Sequence, residues 1–160
     1  MTVEAVLESK RAQLNGSTIS AAEANNVRRK LPLDIDAVFL FDLMQRFPLS
    51  GTTWELPEAA DKSGQGVQLQ WLTPEQIADE SLNAYPGISV VHAGFIPIGS
   101  CMLGSGDPYF LKFKGAGIRN PPLVRVPHDY ASEGKPYPEE QIEIVSATLE
   151  DFFLDATIDP

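Results

Sequence analysis

The chain has very little of the residues that build disulfides, metal centres and membrane spans. Its 160 residues include one cysteine, Cys101, and two histidines. A single cysteine cannot form an internal disulfide, which favours a reducing compartment and predicts a cytoplasmic protein. No apolar run approaches the ~20 residues of a membrane helix. The first ten residues contain Glu4 and Glu8 and lack the continuous apolar core of a signal peptide, so we expect none.

Basic side chains are also scarce relative to acidic ones. The chain has 12 Lys and Arg against 22 Asp and Glu, which gives a formal net charge of −10. Residues 1–33 hold five bases and three acids, so this segment carries +2 and the remainder −12. A negative field repels nucleic acid and anionic lipid and attracts basic partners, although acidity can also serve solubility alone. We therefore expect neither a nucleic-acid nor a membrane partner.

What the chain does contain is an ordered series of helix and strand signals over a single domain, residues 1–160. The predicted helices are 3–14, 21–30 (capped by Ser20), 34–47, 74–83 (capped by Thr73) and a last helix, capped by Ser146, that runs to about Asp155. The predicted strands are 67–71, 90–98, 109–113 and 123–127, with further short strands possible at 54–56 and 142–145. Short connections between the later strands favour antiparallel pairing. The order predicts an α+β fold, with N-terminal helices and a C-terminal helix packed on one face of a mostly antiparallel sheet.

The loops separate into a tight turn and two longer polar connections. Small residues from Gly99 to Pro108 predict a chain reversal between two strands. Residues 58–66 predict an exposed, mobile loop, and residues 131–140 a second loop rich in proline, glycine and charge.

Few side chains offer catalytic or metal chemistry. Those that could be combined into a metal site are His92, Cys101, Asp107, His128 and Asp129. Their spacings match no zinc signature, and a strand end and two turns explain them more simply. Gly99 and Gly104 have the spacing of a phosphate-binding loop, but Ser105 stands where that loop needs a lysine. We therefore expect no metal, no cofactor and no catalytic residue.

Four segments carry a resemblance to a known family. They are Leu31-Pro32-Leu33-Asp34 with Phe39-Leu40; Gln70-Trp71-Leu72-Thr73-Pro74-Glu75; Phe95-Ile96-Pro97-Ile98-Gly99 with Gly106-Asp107-Pro108-Tyr109; and Val124 to Asp129 with Val145 to Leu154. In this order they resemble motifs of the SUKH superfamily, also called Smi/Knr-like, from residue 20 to the C-terminus. The sequence departs from the family pattern at Leu149, where an aromatic is usual, and at Cys101-Met102-Leu103, where the turn is usually more polar.

The resemblance implies a compact α+β domain that binds another protein and has no catalytic activity. Many bacterial SUKH members are immunity proteins that neutralise a toxin, often a nuclease, and fungal members are interaction proteins in cell-wall regulation. We therefore expect an immunity protein for a basic toxin or a related regulatory adaptor. The contact is expected on the acidic C-terminal third and on loops 58–66 and 131–140.

The alternative is a small-molecule or nucleotide enzyme that uses His128, Asp107 and Cys101. Cysteine and histidine can form a nucleophile–base pair if their side chains meet. This alternative requires the three side chains to converge in one concave pocket.

Overall fold

The computed structural model of the chain describes residues 1–32, 34–114 and 117–160. The helices within these residues are α1 (Val3–Ser9), α2 (Ala21–Lys30), α3 (Val38–Arg46), α4 (Pro74–Leu82), α5 (Gly87–Val90) and α6 (Leu149–Asp155). The strands are β1 (Thr53–Leu56), β2 (Val67–Trp71), β3 (Phe95–Cys101), β4 (Tyr109–Lys112), β5 (Leu123–Arg125), β6 (Glu143–Ser146) and β7 (Thr157–Ile158). The α+β prediction is confirmed. Leu33, which belongs to the first family-like segment, lies outside the described residues.

The strands form one curled antiparallel sheet in the order β6-β5-β4-β3-β2-β1-β7. The register of the strand pairs β2–β3, β3–β4 and β4–β5 places four residues side by side across the sheet. Trp71 pairs with Gly99, Gly99 with Tyr109, and Tyr109 with Arg125. Sequence patterning missed β7, whose two residues extend the sheet beside β1.

Most buried apolar side chains belong to one cluster between the sheet and the helices. At its centre Trp54 and Trp71 of the sheet meet Phe152 and Phe153 of α6, with the Trp54 and Phe153 ring centroids 5.0 Å apart. A smaller cluster packs on the other side of the strands. It contains Val90, Phe95, Phe110, Val124, Val126 and Tyr137. Phe110 alternates with Tyr109 and Leu111 of the main cluster, so the sheet is covered on both faces in this half.

Helix starts with strong caps were predicted well. The hydroxyls of Ser20 and Thr73 each accept a hydrogen bond from the backbone amide of the third helical residue. The side chains of those residues, Glu23 and Gln76, in turn accept from the backbone amide of the cap residue. The start of α6 was predicted wrongly, because Ser146 belongs to β6 and pairs with Leu123. The residue that caps α6 is Thr148, whose hydroxyl accepts from the Asp151 amide.

Other boundaries also differ from prediction. α1 ends at Ser9 and a 3₁₀ turn covers Arg11–Gln13, while α3 starts at Val38 rather than Asp34. The predicted strand 90–98 is wrong over its first part, where α5 ends and a 3₁₀ helix covers Val91–Ala93. β3 in turn runs past Gly99 to Cys101, so the chain reversal covers only residues 102–108.

Candidate functional site

A cavity of about 280 Å³ lies between the end of β3, the following turn and α4. Its lining residues are Leu72, Glu80, Tyr85, Gly99, Ser100, Cys101, Gly106, Pro108 and His128. The sequence alternative named His128, Cys101 and Asp107, and the first two both line this cavity. Asp107 contacts His128 directly. The structure therefore brings the three side chains into one neighbourhood.

Two glycines allow the elements around the cavity to approach each other closely. A Cβ on Gly99 would lie 2.4 Å from Leu69 Cγ on β2. A Cβ on Gly87, the first residue of α5, would lie 1.7 Å from the carbonyl oxygen of Glu80 in α4. Both distances are far inside van der Waals contact, so a Cβ at Gly99 would displace the Leu69 side chain and a Cβ at Gly87 would displace the backbone of α4. The α4–α5 approach thereby fixes where Glu80 and Tyr85 stand.

His128 is held by Asp107 at the rim of the cavity. One oxygen of Asp107, Oδ1, accepts from the His128 amide at 3.1 Å and also contacts Nδ1 of its ring. A carboxylate can only accept hydrogen bonds, so Nδ1 carries a proton. Nε2 lies 3.4 Å from Asp129 Oδ1, and about half of the side chain is exposed. An imidazole oriented in this way can exchange a proton through Nε2.

Cys101 is the last residue of β3. The sequence had predicted that it lies inside the turn. Its sulfur lies 3.4 Å from Ser105 Oγ and 3.6 Å from the Leu103 carbonyl oxygen. A carbonyl oxygen accepts, so the thiol is the donor in this contact. Within the described residues these contacts occupy the sulfur, and no hydrogen bond joins it to His128. The thiol and the imidazole share a cavity without forming a bonded pair.

His92 and the possible metal site lie apart from this arrangement. His92 is exposed on the 3₁₀ helix Val91–Ala93, not at a strand end, and does not line the cavity. Over residues 1–32, 34–114 and 117–160, no group of three or more histidine, cysteine or acidic side chains could hold a metal ion.

A buried charge network surrounds Arg125 on β5, the strand that pairs with β4. The sequence did not predict this network. Arg125 of β5 has a side chain only 2% exposed, and its guanidinium lies 3.3 Å from the fully buried carboxylate of Asp61. It also donates to Ser63 Oγ at 2.6 Å, to the Gly66 carbonyl at 3.1 Å and to Tyr109 Oη at 3.4 Å. The prediction that residues 58–66 form an exposed loop is therefore wrong at its centre. Arg125 ties that loop to β4 and β5.

Burial and charge shape the titration of this network in opposite ways. Burial raises the pKa of Tyr109 to about 12, although the hydrogen bond and charge of Arg125 moderate the rise. For Arg125, burial alone would lower the pKa, but Tyr109 and Asp61 outweigh it and the pKa is raised. At neutral pH the network thus consists of a charged arginine, a neutral phenol and two carboxylates, because Arg125 also lies 3.3 Å from the partly exposed carboxylate of Glu143.

A second candidate region is a groove of about 440 Å³ between α6 and residues 59–62, named here the α6 groove. It is lined by Ala59, Ala60, Asp61, Lys62, Ser146, Ala147, Asp151 and Asp155. Asp61 is already neutralised by Arg125, so the unpaired acids of the lining are Asp151 and Asp155, opposed by Lys62. Both aspartates are exposed.

Asp155 stands where helix electrostatics disfavour an acid. Asp151 lies in the first turn of α6, where the helix dipole stabilises negative charge. Asp155 is the last residue, at the negative end of the dipole, and lies four residues from a like charge. Lys10 offsets part of this cost, because its ammonium donates to the Ala156 carbonyl at 2.7 Å. Burial lowers the pKa of Lys10, and the Asp155 charge opposes that shift.

Comparison of the chain with known proteins identified no relative. No family model matches the chain, and no curated protein or solved structure matches it significantly. The helices of the described residues are all too short or too polar to cross a bilayer.

Proposed function

We propose that the chain is a non-catalytic, protein-binding domain that docks a basic protein on the α6 groove. The observation that carries the proposal is Asp155, an exposed acid at the wrong end of a helix dipole beside a second exposed acid, Asp151. Such placement costs folding free energy, and a cationic partner would recover it on binding. The groove joins the acidic C-terminal third to the loop after β1.

The family-like segments make this proposal more specific. A SUKH-type domain with a net charge of −10 suits a cytoplasmic immunity protein that neutralises a basic toxin of the nuclease class, or a related regulatory adaptor. Nuclease grooves are basic because they bind phosphates, so an acidic surface competes directly for them. Charge complementarity speeds association and makes it sensitive to salt.

The test is affinity capture from the native host with variants that differ only in where charge is removed. Asp151→Asn with Asp155→Asn removes two charges from the α6 groove. Glu75→Gln with Asp79→Asn removes two exposed charges, also four residues apart, from α4 outside the expected contact and serves as the matched control. We expect mass spectrometry to find a basic protein retained at low salt by the unaltered chain and the control, and lost with the groove variant.

Two results would overturn the proposal. One is that no protein is retained at low salt by the unaltered chain. The other is that the groove variant and the control retain the same partner equally well, because binding would then depend on net charge or on another surface.

A second candidate function is favoured by the shared cavity of Cys101 and His128. If His128, oriented by Asp107, activates the thiol, the chain would act as an enzyme on a small molecule or nucleotide. Cys101 is the only thiol in the chain, so the rate of iodoacetamide alkylation reports on it alone. An apparent thiol pKa below the usual ~8.5 that returns to it in His128→Ala would support the enzyme. Identical pH profiles for both proteins would exclude this pairing.

A further inference from the structure

The cavity beside β3 combines an acid, an aromatic ring and hydrogen-bond acceptors, and its lining among the described residues contains no lysine or arginine. Glu80 and Tyr85 come from α4 and the segment after it, and Ser100 comes from β3. The lining residue able to carry positive charge is His128, and it contacts two carboxylates, those of Asp107 and Asp129. The site is therefore negative overall.

Glu80 lines this cavity with its charge uncompensated. Among the side-chain contacts of the described residues, no ion pair or hydrogen bond involves its carboxylate. Burial raises the pKa of Glu80, and the neighbouring charge of Asp79 adds to the rise. Glu80 is partly buried, and a bound cation would supply the counter-charge that its carboxylate lacks within the described residues.

Tyr85 supplies a face on which a flat cation can stack. Its side chain is 43% exposed and stands at the cavity beside Glu80. The close approach of Gly87 to the Glu80 carbonyl holds α5, which begins two residues after Tyr85, against α4. A planar guanidinium stacks on aromatic rings and bonds carboxylates through two parallel N–H donors, whereas an ammonium is a point charge.

The size of the cavity limits what can enter it. Ligand pockets for drug-sized molecules span roughly 300–1,000 Å³. At about 280 Å³, this cavity is large enough for a single side chain or a small organic cation. Pro108 and Leu72 provide apolar wall for a methylene chain.

We propose that the cavity lined by Glu80, Tyr85 and Ser100 binds a guanidinium group. Glu80 accepts its N–H donors, Tyr85 stacks on its plane, and Ser100 accepts a further bond at the inner end. The source is either an arginine side chain of another protein or a free guanidino compound. The proposal goes beyond the α6 groove, which shares no lining residue with this cavity.

The experiment is an NMR and calorimetric titration of the full chain with ethylguanidinium, with N-acetyl-arginine N-methylamide and with n-butylammonium. We expect saturable binding of a guanidinium probe, with shifted amides around the cavity, and weaker binding of the ammonium. Binding of the capped arginine would identify a protein side chain as the source. Binding of ethylguanidinium alone would identify a free compound.

Matched variants separate the site from general attraction to an acidic protein. Glu80→Gln is expected to weaken binding about tenfold or more, and Tyr85→Ala about two- to fivefold. Tyr85→Phe keeps the ring and should bind like the unaltered chain. Glu75→Gln, an exposed acid on the same helix, is the charge-matched control and should have no effect.

Three outcomes would overturn the proposal. They are the absence of saturable binding of either guanidinium probe, equal losses in Glu80→Gln and Glu75→Gln, and equal affinity for n-butylammonium. The Tyr85 pair provides a second test if Glu80→Gln perturbs the fold. None of these outcomes depends on whether the α6 groove binds a partner.

Discussion

Replacing Arg125 by methionine tests how far a buried charge network holds this fold together. The substitution leaves the Asp61 carboxylate fully buried without its counter-charge and removes the donors to Gly66 and Tyr109. Breaking a buried ion pair from one side costs about 3–5 kcal/mol. Ser63 still donates two bonds of 2.7 Å to Asp61, which places the expected loss toward the lower end. At about 2–4 °C per kcal/mol, the melting temperature should fall by about 6–20 °C.

The assay is urea unfolding followed by tryptophan fluorescence, since both tryptophans are buried. Arg119→Met provides the comparison, because Arg119 makes a shorter contact of 2.9 Å with Glu4 at the surface. That exposed pair should contribute less than about 1 kcal/mol. Adding Asp61→Asn to Arg125→Met removes the orphaned charge and should restore part of the loss. Equal losses at Arg125 and Arg119, or strictly additive effects of the Asp61 and Arg125 changes, would refute the reasoning.

Two further predictions concern the pKa of Tyr109 and the cap of α6. Because the Tyr109 pKa is raised to about 12 from its usual ~10, the unfolded state loses this proton first and stability should decline from pH 10 to 12. Tyr109→Phe should flatten that decline in urea titrations, whereas the exposed Tyr130→Phe should not. Thr148→Ala should cost about 1 kcal/mol by removing the α6 cap. Ser146→Ala should leave the cap intact, and an equal loss in both variants would contradict the assigned helix start.

Local signals in the sequence were sufficient for much of the fold. The caps at Ser20 and Thr73 depend on side chains three residues apart, so the sequence alone contains them. The segment 90–94 was predicted as strand because its apolar, β-branched residues favour strands. In the structure this segment contains the end of α5 and the 3₁₀ helix Val91–Ala93, and Gly87 at the start of α5 packs against the Glu80 carbonyl of α4.

The candidate sites depended more strongly on long-range contacts. Cys101 and His128 were named from the sequence, but the sequence alone does not place them at one cavity. Their strands are brought together by the pairing of Gly99 with Tyr109 and of Tyr109 with Arg125. The Arg125–Asp61 pair joins residues 64 apart and was missed. One available signal was an arginine inside the apolar segment 123–126, a position where a charge needs a buried partner. The partner itself could be found only by folding the β1–β2 loop onto β5.

The most direct test of the proposed docking function is the association rate of the captured partner at different salt concentrations. We expect a rate that falls about tenfold or more between low and high salt. We also expect Asp151→Asn with Asp155→Asn to lower the low-salt rate and flatten this dependence, while Glu75→Gln with Asp79→Asn leaves both nearly unchanged. Equal rates and equal salt dependence for the two double variants would contradict a docking site on the α6 groove.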